Sequence, residues 1–235
     1  MNMIRHIIEP KRLLLTWQAS EEKQRRTRFM IAELILTASD IKLHYLTESK
    51  DFKEACELGF AGHPAFPDIH KEYTSNVLAA FMHRLPPRTR SDFPKILESL
   101  CIPLEQGMQM SDFALLAYSG AKLPTDSFSI INPFTEAPCP CEFLTEIAGA
   151  RYYLENIDQL HEGQAVQLLA EPDNIAGDAL AICIMAAGKK LGYINRGQLA
   201  AFHHWLREQR TIEVNIEWLN DSGNRLSTYI FVKVS

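Results

Sequence analysis

At 235 residues, 46% of them hydrophobic and 23% charged, the chain has the make-up of a folded globular protein, which excludes a disordered or fibrous one. Its 24 Lys and Arg stand against 29 Asp and Glu, a net charge of −5, so no overall positive field draws it to phosphate backbones or anionic lipid, and any nucleic-acid contact must be local. The longest near-apolar run, residues 179–187, is less than half of the ~20 residues a spanning helix needs, and the N-terminus lacks the basic, apolar, small-residue order of a signal peptide. A cytoplasmic location without membrane contact is expected. Five cysteines, odd in number and scattered, argue against a disulfide framework. Cys139-Pro-Cys141 has no downstream pair to complete a zinc site, so neither a metal nor a cofactor is expected.

In chain order, Leu13-Leu-Leu-Thr-Trp17 reads as a strand followed by an exposed polar turn, Gln18 to Arg28. The β-branched and aromatic runs Phe29–Leu36 and Ile41–Leu46, separated by Thr37-Ala-Ser-Asp40, read as paired antiparallel strands. Gly59 to Pro67 is a loop in which prolines set φ and aromatics anchor the segment. Tyr73, Val77, Leu78 and Phe81 make one apolar helical stripe that must stop before Pro86-Pro87. A second helix is expected through Ile96–Leu100. Ser111 reads as the N-cap of a third over Phe113–Tyr118, and Gly120 as its C-terminal stop. Residues 133–140, with three prolines, read as a connector, and two domains are expected on either side, 1–135 and 142–235.

Beyond the connector, Ala165–Leu169 and Leu180–Ile184 read as buried strands and Lys189–Ile194 as another. Asn195 can cap a helix burying Leu199, Phe202, Leu206 and in part His203. Thr211–Trp218 and Ser227–Val234 flank an Asn220-Asp-Ser-Gly-Asn224 hairpin turn. The fold class expected is α+β, a mixed α/β-sheet domain followed by a small β-barrel with a helical crossover.

Three blocks of the second half carry chemistry: Arg151-Tyr152-Tyr153; Glu171-Pro-Asp-Asn174 with Asp178 and Ala181-Ile182; and Leu191-Gly-Tyr-Ile-Asn-Arg196. In order and spacing these blocks resemble the HIRAN domain over residues 142–235. The resemblance implies a compact barrel akin to oligonucleotide-binding folds, whose eukaryotic members capture the 3′ end of single-stranded DNA. It implies base stacking and phosphate contact by Arg151, Tyr152 and Tyr153, a bond from Asp178 to the terminal hydroxyl, and a groove lined by Asn174, Tyr193 and Arg196. The family's aromatic just before the aspartate is missing here, where the chain reads Ile175-Ala-Gly177.

The chemistry is sensible by itself, because a single-stranded end offers base faces, a phosphate and a hydroxyl, to which Tyr, Arg and Asp are respectively suited. From residue 142 onward, 8 Lys and Arg face 12 Asp and Glu, a net −4, so a short end-specific pocket is expected rather than long tracking along a backbone. Two roles are open to Asp178, ligand recognition and organisation of its own turn. If Arg151-Tyr152-Tyr153 is a strand, its two rings point to opposite faces and one of them belongs to the core.

In the first half, Phe81-Met-His-Arg-Leu-Pro-Pro-Arg88 and Ser111-Asp-Phe-Ala-Leu-Leu-Ala-Tyr-Ser-Gly120 resemble the small N-terminal subdomain of HipA-type toxin kinases, which is not catalytic. The resemblance implies an accessory surface for a protein partner. Arg84, Arg88 and Arg90 form the most concentrated basic patch and read as a solvated edge. His63, His70 and His83 read as ordinary loop and helix histidines, not as metal ligands. No hydrolase, zincin, Walker or Rossmann signature occurs, so no catalytic residue is assigned. The function expected is non-enzymatic recognition of single-stranded DNA ends. The alternative is a protein-interaction or toxin–antitoxin accessory component with a structural barrel.

Overall fold

The computed structural model describes residues 2–19, 27–38, 40–123, 126–153, 155, 160–174, 177–221 and 226–235. Most of the turn expected between Gln18 and Arg28, Ser39, Ile175, Ala176 and residues 222–224 of the expected hairpin lie outside them. The chain divides into two compact units, neither of them one continuous segment. The first comprises Glu9–Lys95 and Gly107–Pro133; the second comprises Met1–Ile8, Ile96–Gln106 and Phe134–Ser235. Residues 2–8 and 96–106, grouped by sequence with the N-terminal domain, thus fold with the C-terminal residues. The Ile4 N–H donates to the Cys101 carbonyl at 2.7 Å. The buried Glu142 carboxylate accepts the His6 N–H at 2.9 Å and lies 2.9 Å from His6 Nδ1.

The first unit is built on a four-stranded antiparallel sheet, order β3-β2-β1-β4, made of β1 (Arg12–Gln18), β2 (Arg28–Leu36), β3 (Ile41–Tyr45) and β4 (Phe128–Ile131). Leu13, Leu15, Phe29, Ile31, Leu34 and Leu43 are fully buried. Helix α1 (Lys50–Glu57), unforeseen in the sequence, starts at Ser49, whose hydroxyl accepts the Phe52 N–H. Helix α2 (Val77–Met82) is shorter than its apolar stripe. Asn76 at φ 59° breaks the helical path, and Tyr73 instead forms a bridge with Leu43. Helix α3 (Phe93–Ser99) and the unforeseen α4 (Leu104–Gln109) contain the points where the chain changes unit. Helix α5 (Asp112–Ser119) begins on the Ser111 hydroxyl, which accepts the Ala114 N–H, and ends at Gly120 in the left-handed conformation, as its sequence predicts.

The second unit holds two open three-stranded sheets, and among the described residues no closed barrel forms. One sheet has the order β5-β10-β9, from β5 (Cys141–Glu146), β9 (Ile212–Asp221) and β10 (Leu226–Val234). The other, β6-β7-β8, comes from β6 (Gln167–Ala170), β7 (Ile182–Ala186) and β8 (Lys189–Tyr193). Among the described residues, the isolated bridges Ala148 to Tyr193 and Ala165 to Asn215 alone join the two sheets, too few pairings to close a cylinder. The expected barrel is therefore corrected to open sheets within an α+β fold. β6 is a largely exposed edge strand, not a buried one, with Leu169 about half exposed.

Asn195 caps a short 3₁₀ turn, Arg196–Gln198, that leads into α6 (Leu199–Arg207). The helix buries Leu199, Ala201, Phe202 and Trp205, whereas Leu206, placed in the core by its spacing, is 48% exposed. Trp205 takes that inner position, packing on Phe202 and Phe143 at centroid distances of 5.3 and 6.0 Å. One buried indole covers area that two leucines would otherwise supply.

Candidate nucleic-acid interface

Arg151, Tyr152 and Tyr153 do not lie on a strand; they form the 3₁₀ turn Ala150–Tyr153. The cause is local. Gly192 on β8 has φ 145°, and a Cβ there would lie 2.5 Å from the Ala148 carbonyl oxygen, so only glycine admits the close approach of residues 147–150 to β8. Ala148 and Tyr193 exchange backbone bonds of 2.8 and 2.9 Å, after which Gly149, at φ 75°, bends the chain away and accepts the Tyr152 N–H at 3.0 Å. Successive side chains in a 3₁₀ turn diverge by about 120° rather than alternating, so the two rings part company without either entering the core.

Tyr152 points outward and is 67% exposed. The Arg151 guanidinium lies over its ring, 4.5 Å from the centroid, and donates to its hydroxyl. Among the described residues no carboxylate pairs with Arg151. Tyr153 turns toward Tyr193, whose hydroxyl it meets.

Tyr193 joins Glu171 and Lys190, two residues that sequence reasoning did not assign, in a polar cluster. The Glu171 carboxylate accepts from Lys190 Nζ and, at 2.6 Å, from the Tyr193 hydroxyl, while Lys190 Nζ lies 3.3 Å from that hydroxyl. The bonds from Lys190 and then Tyr193 hold the Glu171 carboxyl below its usual range. Lys190 is raised chiefly by its bond to Glu171, and Tyr193 is raised first by burial and then by the same carboxylate. Near neutrality the cluster therefore carries one anion, one cation and one neutral phenol. The spacing argued against this cluster. Lys190 and Tyr193, three apart, would face opposite ways on a regular strand, but Gly192 pairs with Ile184 and Lys190 with Met185, so Leu191 is an extra residue that puts both on Glu171.

Asn174 and Asp178 organise the turn that carries Glu171. Asn174 Nδ2 donates to the carbonyls of Glu171 and Asp178 at 2.8 and 2.5 Å. Asp178 Oδ1 accepts the Leu180 N–H at 3.1 Å, and its Oδ2 pairs with Arg196 Nε at 3.3 Å. The structure thus links Glu171, Asn174, Asp178 and Arg196 through one turn, and Glu171, Lys190, Tyr193 and Tyr153 through one polar cluster, with Arg151 and Tyr152 on the adjoining 3₁₀ turn. The small cleft lined by Asn2, Glu162, Gly163, Glu217 and Trp218 lies elsewhere in this unit and includes none of them.

In the first unit, Arg90 lies on a solvated edge as expected, but Arg84 and Arg88 do not. Arg84 donates to the Ala121 and Phe128 carbonyls at 2.7 and 3.0 Å and forks onto Asp126. Arg88 donates to the carbonyls of Gly107 and Met110 and to Asp112. Arg90 pairs with Asp92 at 2.7 Å. Arg84 and Arg88 thus satisfy carbonyls at element ends, Ala121 just after α5, Phe128 at the start of β4, and Gly107 and Met110 at the end of α4, whereas Arg90, among the described residues, bonds only a carboxylate. His63, read as an ordinary loop histidine, is buried among Phe66, Phe81 and Phe128. Among the described residues no three His, Cys, Asp or Glu side chains converge as metal ligands, and no helix is long and apolar enough to cross a membrane.

No family model matches the chain, and no curated protein matches it. Among solved structures, the HIRAN domain of human HLTF is similar over 40% of this chain and 74% of its own, at 18% identity and a TM-score of 0.32. A protein from Lactobacillus plantarum is similar over 40% of this chain and 99% of its own, at 21% identity and a TM-score of 0.31. Over two fifths of its length, then, the chain is similar in structure to a HIRAN domain.

Proposed function

We propose that the second unit is a non-catalytic nucleic-acid-binding module whose ligand is the end of a single DNA strand. The observation that carries this reading is the exposed Tyr152 ring with the Arg151 guanidinium over it, a surface pair with, among the described residues, no carboxylate on its cation. An aromatic face left in water beside such a guanidinium suits an unstacked base and its phosphate, and stacking of this kind is worth ~1 to 3 kcal/mol per base. The turn around Asp178 supplies the hydroxyl-binding part. Each carboxylate oxygen accepts more than one hydrogen bond, so the Leu180 N–H and Arg196 leave acceptor capacity for a terminal hydroxyl. The surplus of carboxylates in this part of the chain favours a short site over a long basic track.

Fluorescence-polarisation titration with short labelled single strands tests the proposal. Tyr152→Ala is expected to weaken binding by roughly ten-fold or more, within the range of one lost stacking contact. Its thermal unfolding should be unchanged, since the ring is mostly exposed. A 3′ phosphate in place of the 3′ hydroxyl should weaken binding as well. Equal affinity for free and blocked ends overturns end recognition. If Tyr152→Ala binds as the unmodified protein does, the interface is elsewhere, and the protein-interaction reading gains.

A further inference from the structure

Three cations belong to the candidate interface, and two are already matched to carboxylates of the same turn, Lys190 to Glu171 and Arg196 to Asp178. Lys190 and Glu171 remain within reach of solvent, their side chains 24% and 30% exposed. The Glu171 backbone is pinned by Asn174 at 2.8 Å, and one carboxylate oxygen is held by the Tyr193 hydroxyl at 2.6 Å, so the acid is fixed from two directions before it meets the lysine. A carboxylate held on an ammonium beside a stacking platform occupies the place that a strand phosphate would otherwise take.

We infer that Glu171 is a selectivity residue, a built-in anion that withholds Lys190 from phosphate and so limits the interface to the phosphate contact made by Arg151. This rests on the proposed nucleic-acid reading. The carboxylate would also repel a phosphorylated end brought near Tyr193, and so favour a hydroxyl there. A brace that merely joins the 171–181 turn to β8 would have neither consequence.

The test is the salt dependence of binding to a short labelled oligothymidylate, for the full chain and its variants. Each phosphate contact to a single strand contributes a slope of about −0.7 in log affinity against log salt. Glu171→Gln keeps an acceptor for Tyr193 and removes the carboxylate charge that Glu171 sets on Lys190. It is expected to bind about five-fold more tightly at moderate salt, to steepen the slope by ~0.7, and to narrow the preference for a 3′ hydroxyl over a 3′ phosphate. Glu171→Gln combined with Lys190→Met should return the slope to its starting value. Lys190→Met alone should leave the slope unchanged, and this holds even if Glu171→Gln fails to fold.

Independently of DNA, acylation of Lys190 by an amine-reactive ester, followed by mass spectrometry, should rise several-fold in Glu171→Gln. An unchanged slope in Glu171→Gln, a flatter one in Lys190→Met alone, or unchanged acylation overturns the inference while leaving the Tyr152 interface standing. Loss of the Tyr152→Ala effect, or no binding by either the original chain or Glu171→Gln, overturns the underlying reading together with it.

Discussion

Arg84 in the first unit and Arg151 in the second are the same side chain put to opposite uses. The Arg84 side chain is 8% exposed, forks onto Asp126 and caps two carbonyls, so its charge is consumed in holding β4 and the segment before it. Arg151 has a neighbouring phenol ring, access to water and, among the described residues, no carboxylate. A cluster of arginines, as at 84 and 88, therefore indicates carbonyls in need of donors as readily as a ligand waiting outside. What separates the two is whether the backbone around the guanidinium already satisfies it.

The sharpest way to break this contrast is Arg84→Met. Asp126 is exposed and can be solvated, but the Ala121 and Phe128 carbonyls lose a buried donor at roughly 1 to 3 kcal/mol each, so a loss of about 4 kcal/mol is expected in urea unfolding. Binding of single strands by the folded fraction should not change. A loss under about 1 kcal/mol, the worth of a surface pair, would make Arg84 an exposed cation like Arg151.

Next in size is the effect of pH on His63, which lies near the Arg84–Asp126 pair. Burial, and then the nearby Arg84 charge, push its imidazole down from 6.5 to about 4. Asp126 responds oppositely: burial works to raise it, but bonds from Arg84 and the Phe128 N–H outweigh that and lower it. Between pH 6.5 and 4 the unfolded chain binds a proton at this histidine that the folded chain refuses. The stability it confers is thus complete above about 6.5 and is lost as pH falls toward 4, by about 3 kcal/mol. Asp126, with a folded value below its unfolded one, loses its contribution as pH falls further through that lowered value. His63→Gln should remove most of the difference in unfolding free energy between pH 7 and 4.5; an undiminished difference would place the acid sensitivity elsewhere.

The smallest expected effect is that of Arg151→Lys, which keeps the charge and discards the planar fork that covers Tyr152. Affinity for a short strand should fall about five-fold, with the salt slope unaltered because the number of cations is the same. A flattened slope would mean that lysine at this position no longer reaches the phosphate.

Much of the scaffold was readable along the chain. The apolar run at 13–17 and the β-branched and aromatic runs at 29–36 and 41–46 marked β1 to β3, while Ser111 and Gly120 bounded α5, because these signals act within a few residues of themselves. Cys141–Glu146 was passed over as a strand: its buried and half-buried residues do not alternate, since Glu142 turns inward to bond the backbone at His6. The inner face of α6 was misjudged by one position because Trp205 and Leu206 are neighbours on the helix, and only the aromatic ring of Phe143 decides which is covered.

The site divides along the same line. Arg151, Tyr152, Tyr153, Asn174, Asp178, Tyr193 and Arg196 were proposed through the resemblance of three sequence blocks to the HIRAN domain, and an aromatic, a guanidinium and an acid suit a strand end wherever they lie. Which ring faces water was decided by the approach of residues 147–150 to Gly192, contacts more than forty positions apart in the chain. That Glu171 and Lys190 neutralise one another was decided by the extra residue at Leu191, which turns two side chains of β8 to one side. Chemical capacity is a property of each side chain. Exposure and charge pairing are properties of distances between distant segments, and only packing sets those.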